Sequence, residues 1–362
     1  MKKNIKDIIS EFRFEGDMNS YKPYGSGHIN DTFRLDYGEN DYILQRINTN
    51  VFTRPVELME NVVNVTNFLR EKITEMGGDP ARETLTVVLT KDGGNLYIDK
   101  DDNAWRAYHF VKGTKSYDLI EDPQQFYASG VAFGNFQKLL ADFPIDTLNY
   151  TIDNFHHTPS RFETFMNALE ADVVGRAKTC QKEIDMIIAE KEFVKTLWDL
   201  HEKGELALKV THNDTKLNNV LFDKASDEAI CVIDLDTVMP GFALDDFGDS
   251  IRFGATTALE DEKDLNKVNF DIDLFETYVK GFLEGADGSL TDLEITLFPV
   301  GAKMLTIETA IRFLTDYLQG DTYFKTAYDD HNLVRSRTQL KLVSDMNDQW
   351  DQMNAIVDKH RP

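Results

Sequence analysis

The stretch Thr211-His212-Asn213-Asp214-Thr215-Lys216-Leu217-Asn218-Asn219 constrains this chain more than any other. It reads H-x-D-x-x-x-x-N, with Asp214 five residues before Asn219. In phosphoryl transfer such a loop supplies a carboxylate to accept the acceptor hydroxyl's proton and an amide oxygen to bind magnesium. Twenty residues beyond Asp214, the apolar run Ile230-Cys231-Val232-Ile233 ends in Asp234, an acid placed to hold magnesium against the β and γ phosphates. Lys216 stands where a lysine would reach the γ-phosphate. The plain alternative is a polar turn whose Asp and Asn bond only their own backbone. The strand-loop-strand context argues against that alternative. Asp236 is a second candidate ligand, since it would share a face with Asp234 if the strand continued.

The tripeptide Asp246-Phe247-Gly248 spells a metal-binding motif of protein kinases, yet it lies 32 residues after Asp214. Asp234 is the better ligand, because Asp214 to Asp234 can form one hairpin. Asp245, Asp246 and Asp249 are expected to begin a helix or to brace the Asp214 loop. Far upstream, Gly25-Ser26-Gly27 precedes a hairpin made of Thr32–Tyr37 and Asp41–Ile47, and its glycines would let backbone N–H groups approach a phosphate. A plain turn is the competing reading. His28 and Asn30 would then sit at a cleft mouth, although a lone His is commonly just a surface or packed residue. Where a protein kinase carries a lysine on the second strand of this hairpin, the chain has Gln45. Strict alternation puts Ile43 and Gln45 on one face and Arg46 on the other, so Arg46 cannot substitute.

The first third reads as sheet: that hairpin, a helix from Val56 to Lys72 opened by Pro55, and strands at Leu85–Leu89, Asn95–Ile98 and Ala104–Phe110, with Lys91–Gly94 as the turn between the first two. Beyond Gly113 the periodicity predicts long helices over Asp122–Ala141, Arg161–Asp172, Glu183–Glu202 and Leu290–Gln319, interrupted by strands within Lys209–Asp236. The fold expected is α+β and bilobal: a small antiparallel-sheet lobe with one helix over residues 1–112, and a larger, mainly helical lobe over 113–362. Glu308, Arg312 and Asp316 recur every fourth residue on one helix face, followed by Tyr323. They form either an exposed salt-bridged stripe or a partly buried wall for a polar ligand, with a carboxylate holding the Arg312 fork.

Charge narrows the partners. The 362 residues carry a formal net charge of −24, which disfavours nucleic acid. The first 112 residues hold 15 basic and 18 acidic side chains, so the remainder carries −21. Cys180 and Cys231 cannot form a disulfide framework. No run approaches the ~20 apolar residues of a membrane span, and the first residues lack a signal-peptide core. A cytoplasmic, monomeric protein acting on small molecules is expected. His156-His157 lacks partners at metal spacing, so no zinc site is expected.

With these residues assembled, the chain resembles the aminoglycoside phosphotransferase and choline kinase superfamily of protein-kinase-like small-molecule kinases. Within it the chain is similar to the N-acetylhexosamine 1-kinases, over Tyr42–Thr49, Val210–Asn219, Ile233–Thr237, Phe247–Gly254, Arg312–Leu318 and Asn332–Arg335. The resemblance implies ATP as cosubstrate, Mg2+ as cofactor, and N-acetylglucosamine or N-acetylgalactosamine as acceptor at the anomeric hydroxyl. It implies catalytic roles for Asp214 and Lys216, metal ligation by Asn219 and Asp234, and nucleotide contacts at Gly25, Ser26, Gly27, Ile43, Gln45 and Phe110. Sugar contacts would fall on His28, Asn30, Asp214, Arg312 and Tyr323. Gln45 departs from the superfamily's lysine. Two alternatives stay open: a kinase of choline, homoserine or an aminoglycoside, the last suiting the −21 of the second lobe, and a pseudokinase that only binds a nucleotide or partner.

Overall fold

The computed structural model describes residues 5–25 and 29–362, so Ser26, Gly27 and His28 lie outside the described residues. The chain divides into two compact units. The first comprises Met1–Ser116, Asp142–Asp153 and Asn219–Met239; the second comprises Tyr117–Ala141, Asn154–Asn218 and Pro240–Pro362. The first unit therefore runs a few residues past Lys112 and takes in two later segments.

In the first unit, β1 (Ser20–Pro23), β2 (Asp31–Asp36), β3 (Tyr42–Ile47), β4 (Val87–Val88), β5 (Tyr97–Ile98) and β6 (Ala104–His109) form an antiparallel sheet in the order β1-β2-β3-β6-β4, with β5 also on β6. The β2–β3 hairpin forms as its alternation predicts. The strands expected on either side of Lys91–Gly94 do not pair with each other. Val87 and Val88 lie opposite Tyr108 and Ala107, while Tyr97 and Ile98 lie opposite Trp105 and Ala104, so both use the long strand β6. Leu35, Tyr42, Leu44, Val88, Trp105 and Ala107 form the core on one sheet face with Ile8 and Ile9 of helix α1 (Ile5–Ile9). Across the other face, the register aligns Thr32, Gln45 and Arg106 on three neighbouring strands. Helix α2 (Pro55–Glu75) starts at a proline, whose missing N–H costs nothing at that position, and buries Leu58, Met59, Val62 and Val65. The short helix α3 (Pro80–Glu83) follows. Strands β7 (Thr114–Lys115), β9 (Val220–Asp223) and β10 (Ala229–Val232) form a second small sheet in the order β10-β9-β7.

The second unit holds strand β8 (Lys209–Thr211) and helices α4 (Pro123–Leu139), α5 (Thr158–Ala171), α6 (Gln181–Ala189), α7 (Thr196–Glu202), α8 (Ala243–Gly254), α9 (Ile272–Ala286), α10 (Asp292–Thr296), α11 (Phe298–Leu318), α12 (His331–Asp348) and α13 (Trp350–His360). Two expected long helices are broken. Glu183–Glu202 splits into α6 and α7 around a 3-10 turn at Phe193–Lys195, which lets Val194 and Leu197 both reach the core. Leu290–Gln319 splits at Leu297 because Pro299 has no N–H for an unbroken ladder. Helices α4 and α9 touch backbone to backbone: a Cβ at Gly134 would lie 2.3 Å from the Phe282 carbonyl, and one at Gly285 2.1 Å from that of Val131. Ile307, Ile311, Leu314 and Leu318 of α11 pack with Phe162 and Phe165 of α5 and Leu340 and Val343 of α12. Among the described residues no helix is long and apolar enough to cross a membrane.

Candidate active site

Strand β8 delivers the chain to the loop that carries Asp214, and the first two turns of α8 hold that loop. The buried Asp246 carboxylate accepts the backbone N–H groups of His212 (3.0 Å) and Asn213 (2.7 Å) and the Gln137 amide (2.5 Å). The Thr215 hydroxyl donates to the Asp246 carbonyl at 2.6 Å, and the Thr215 N–H donates to Asp249 at 2.9 Å. Asp249 is itself held by Arg252, and Ser250 donates to the Thr215 carbonyl. This bonding lets Asn213 adopt a left-handed conformation (φ 65°), a position that tolerates Asn better than most residues. Asp246 thus braces the loop. Asp245 accepts the Phe242 N–H at the start of α8.

The Asp214 side chain is one-quarter exposed, and its Oδ1 lies 2.6 Å from Lys216 Nζ. Burial opposes ionisation, but the Lys216 ammonium outweighs it and holds the Asp214 carboxyl below its ordinary value. Asp214 is therefore a carboxylate at neutral pH, able to accept a proton from a hydroxyl. Its backbone N–H donates to His212 Nδ1, whose ring packs edge-on against Phe133 and Phe136.

His156 ties the loop to α11. One ring nitrogen is 2.7 Å from Glu308 Oε1 and the other 3.1 Å from the Asn213 carbonyl. A carboxylate and a carbonyl can only accept, so both nitrogens donate and the ring is an imidazolium. Burial works against this charge, but Glu308 more than offsets it and raises His156 to about 9. Nearby Asp245 is pushed up to about 7 by burial.

In the first unit, the Ile233 N–H donates to the Asn219 carbonyl at 2.9 Å, which sets Asn219 beside the end of β10. The strand stops there. Asp234 takes a left-handed conformation (φ 61°), and Leu235–Thr237 form a 3-10 turn. The expectation that Asp236 shares a strand face with Asp234 and ligates metal fails for this reason. Asp236 is buried and paired instead with the guanidinium of Arg106, and Asn30 Nδ2 donates to its other oxygen at 2.8 Å. Asn30 also accepts the Asn48 N–H, so both ends of its amide are engaged. An Asp234 carboxylate and an Asn219 amide oxygen suit magnesium, a hard cation bound through one or two carboxylates plus substrate phosphates. Among the described residues, no group of three or more His, Cys, Asp or Glu side chains could hold a metal ion.

Of the nucleotide candidates, Gly25 has a positive φ of 84°. Ile43 lies across from Tyr108. Phe110 packs against Tyr24 and under the Arg34 guanidinium. Gln45 donates to Thr32 Oγ1 (3.0 Å) and accepts from Arg106 Nε (3.0 Å).

The helix face of Glu308, Arg312 and Asp316 is no exposed stripe, since both carboxylates are buried. Neither holds the Arg312 fork as expected. Glu308 is taken by His156 and Thr158, and Asp316 by the N–H groups of Thr322, Tyr323 and Phe324 and by the Asn332 amide. Arg312 lies over the rings of Phe155 and Phe324, and Tyr323, 59% exposed, meets Phe324 edge-on. Arg106 and His156 received no site role in the sequence reading. The signal for Arg106 was a charge in the middle of a mostly apolar strand; for His156 there was none beyond its two acceptors, which only folding supplies.

Residues 20–278 match the model of a family described as the phosphotransferase enzyme family, APH. The fold is similar to a microcompartment-associated aminopropanol kinase (TM-score 0.65, 14% identity, 97% of this chain and 98% of that one). It is also similar to a spectinomycin phosphotransferase solved with ADP and spectinomycin (TM-score 0.59, 14% identity, 98% and 95%). An aminoglycoside phosphotransferase from Alicyclobacillus acidocaldarius gives TM-score 0.63 at 11% identity, over 98% of this chain and 96% of that one.

Proposed function

The chain belongs to the phosphotransferase enzyme family, and on that premise we propose that it is a small-molecule kinase moving the γ-phosphoryl group of ATP onto the anomeric hydroxyl of N-acetylglucosamine or N-acetylgalactosamine. The observation that carries the reaction class is Asp214: an ionised carboxylate beside a lysine, on a loop whose backbone Asp246 and Asp249 hold. Its carboxylate orients the acceptor hydroxyl and takes its proton as the new O–P bond forms and the bond to the β–γ bridging oxygen breaks. Lys216 keeps Asp214 ionised and presents its ammonium to the transferred group. Asn219 and Asp234 would hold magnesium, which when bound neutralises charge on the phosphates. Nucleotide binding is assigned to residues 1–112 through Gly25, Ser26, Gly27, Ile43, Gln45 and Phe110, and acceptor binding chiefly to 113–362.

The acceptor rests on the sequence resemblance to the N-acetylhexosamine kinases, with His28, Asn30, Arg312 and Tyr323 reading the sugar. An aminoglycoside is the second reading, favoured as a polycation by the −21 charge beyond residue 112. Initial rates of ADP release with ATP, Mg2+ and a panel of hexosamines, aminoglycosides, choline and amino alcohols decide between them. Asp214→Asn should reduce kcat on the best acceptor by about 10²–10⁴-fold. Retention of more than about a tenth of turnover removes Asp214 as base.

A further inference from the structure

The first unit contains a buried cation that the proposed reaction has not yet used. Arg106 on β6 is 1% exposed and stands directly opposite Gln45 in the sheet register. Its Nε donates to Gln45 Oε1 at 3.0 Å, and Gln45 is steadied by Thr32. Its Nη1 pairs with Asp236 and lies 3.9 Å from the sulfur of Met59 on α2. Because the guanidinium is enclosed, it is not available to a ligand. Its ion-pair partner, Asp236, is two residues beyond Asp234, on the turn that Asp234 begins.

That turn starts from a left-handed Asp234, a conformation Asp adopts more readily than most residues and that its neighbours here hold from both sides. Before Asp234, the Ile233 N–H is bonded to Asn219. After it, Asp236 is gripped by Arg106 and Asn30, its carbonyl accepts the Thr151 hydroxyl, and the Val238 carbonyl accepts the Asn61 amide. Of these restraints only Arg106 brings charge.

We propose that Arg106 is a positioning residue for the metal-binding aspartate: held by Gln45, it anchors Asp236 and so fixes Asp234 in the conformation that receives magnesium. In kinases with a lysine on the third strand, that cation pairs with a helix glutamate. Here the cation sits one strand over and pairs with the metal turn itself. Groups that orient a metal ligand from behind are typically worth about 10–100-fold in metal affinity.

The inference rests on reading Asp234 as a magnesium ligand, and the test separates the two. Binding of a fluorescent ADP is titrated with Mg2+, without turnover, in wild type, Asp234→Ala, Arg106→Lys, Gln45→Leu and the paired Arg106→Gln/Asp236→Asn. The pair removes both charges together, so neither is left buried alone. The Mg2+ concentration at half-saturation should rise about 10–100-fold in the pair, less in Arg106→Lys, and in the same direction in Gln45→Leu, while metal-free ADP affinity stays within about threefold in the pair and in Arg106→Lys. If the pair does not fold, Arg106→Lys, which keeps a cation beside Asp236 but loses the fork held by Gln45, decides. Unchanged Mg2+ half-saturation in the folded variants, with a large shift in Asp234→Ala, overturns the role of Arg106 alone. No shift in Asp234→Ala overturns the metal reading beneath it.

Discussion

Asp246→Ala tests whether this carboxylate braces the Asp214 loop or binds metal. Removing it leaves two buried backbone N–H groups, those of His212 and Asn213, and the Gln137 amide without their acceptor. Each such orphaned donor costs about 1–3 kcal/mol. Part of that is returned, because burial raises the pKa of Asp246, the mark of a charge held at a desolvation cost. A net loss of about 2–5 kcal/mol follows, against a typical stability of 5–15 kcal/mol. Asp246→Asn should fall between the two, since a carboxamide offers one acceptor oxygen and turns an NH2 toward the second N–H. The assay is urea unfolding followed by far-UV circular dichroism, run beside a Mg2+ titration of ADP binding on the folded variants. A loss under about 1 kcal/mol would refute the bracing argument. A Mg2+ shift in Asp246→Ala as large as that in Asp234→Ala would show that Asp246 is a ligand after all.

Three further outcomes are expected. Arg312→Ala should raise KM for the sugar far more than KM for ATP, by the equivalent of about 1–3 kcal/mol, and equal effects on both substrates would take Arg312 out of the acceptor site. For His156 the folded value of about 9 lies above the unfolded 6.5, so its stabilisation is complete below about pH 6.5 and is lost as pH rises through about 9. The stability gap between wild type and His156→Gln should therefore shrink by about 3 kcal/mol over that window, and a pH-independent gap would contradict the imidazolium. Gly285→Ala would put a methyl 2.1 Å from the Val131 carbonyl and force α4 and α9 apart, costing about 1–3 kcal/mol in denaturant unfolding; a change within about 0.5 kcal/mol would mean the helices give way freely.

Local pattern fixed a good deal by itself. Alternation in Thr32–Tyr37 and Asp41–Ile47 specifies a hairpin because a one-residue slip would expose Leu35 and Leu44. The spacing of Asp214, Asn219 and Asp234 points to phosphoryl transfer because kinases use a proton-accepting Asp, an Asn five residues on and a later metal Asp in that order. The α+β class follows from strand period giving way to helix period near Gly113. The 32 residues from Asp214 set the Asp246 tripeptide apart from the Asp214–Asp234 hairpin, but that it braces the loop, beyond starting a helix, is shown only by the hydrogen bonds of Asp246. The rest depended on contacts between residues far apart in sequence. Nothing local says that Arg106 faces Gln45 and Asp236, since that follows from sheet register and a turn more than a hundred residues later. Nor does helical spacing reveal that Glu308 and Asp316 are spent on His156 and on the Thr322–Phe324 backbone, leaving Arg312 between aromatic rings. Periodicity reports which face of an element is apolar; which donor a buried carboxylate finds there is decided only when the chain closes around it, because an unpaired buried charge is too costly to leave.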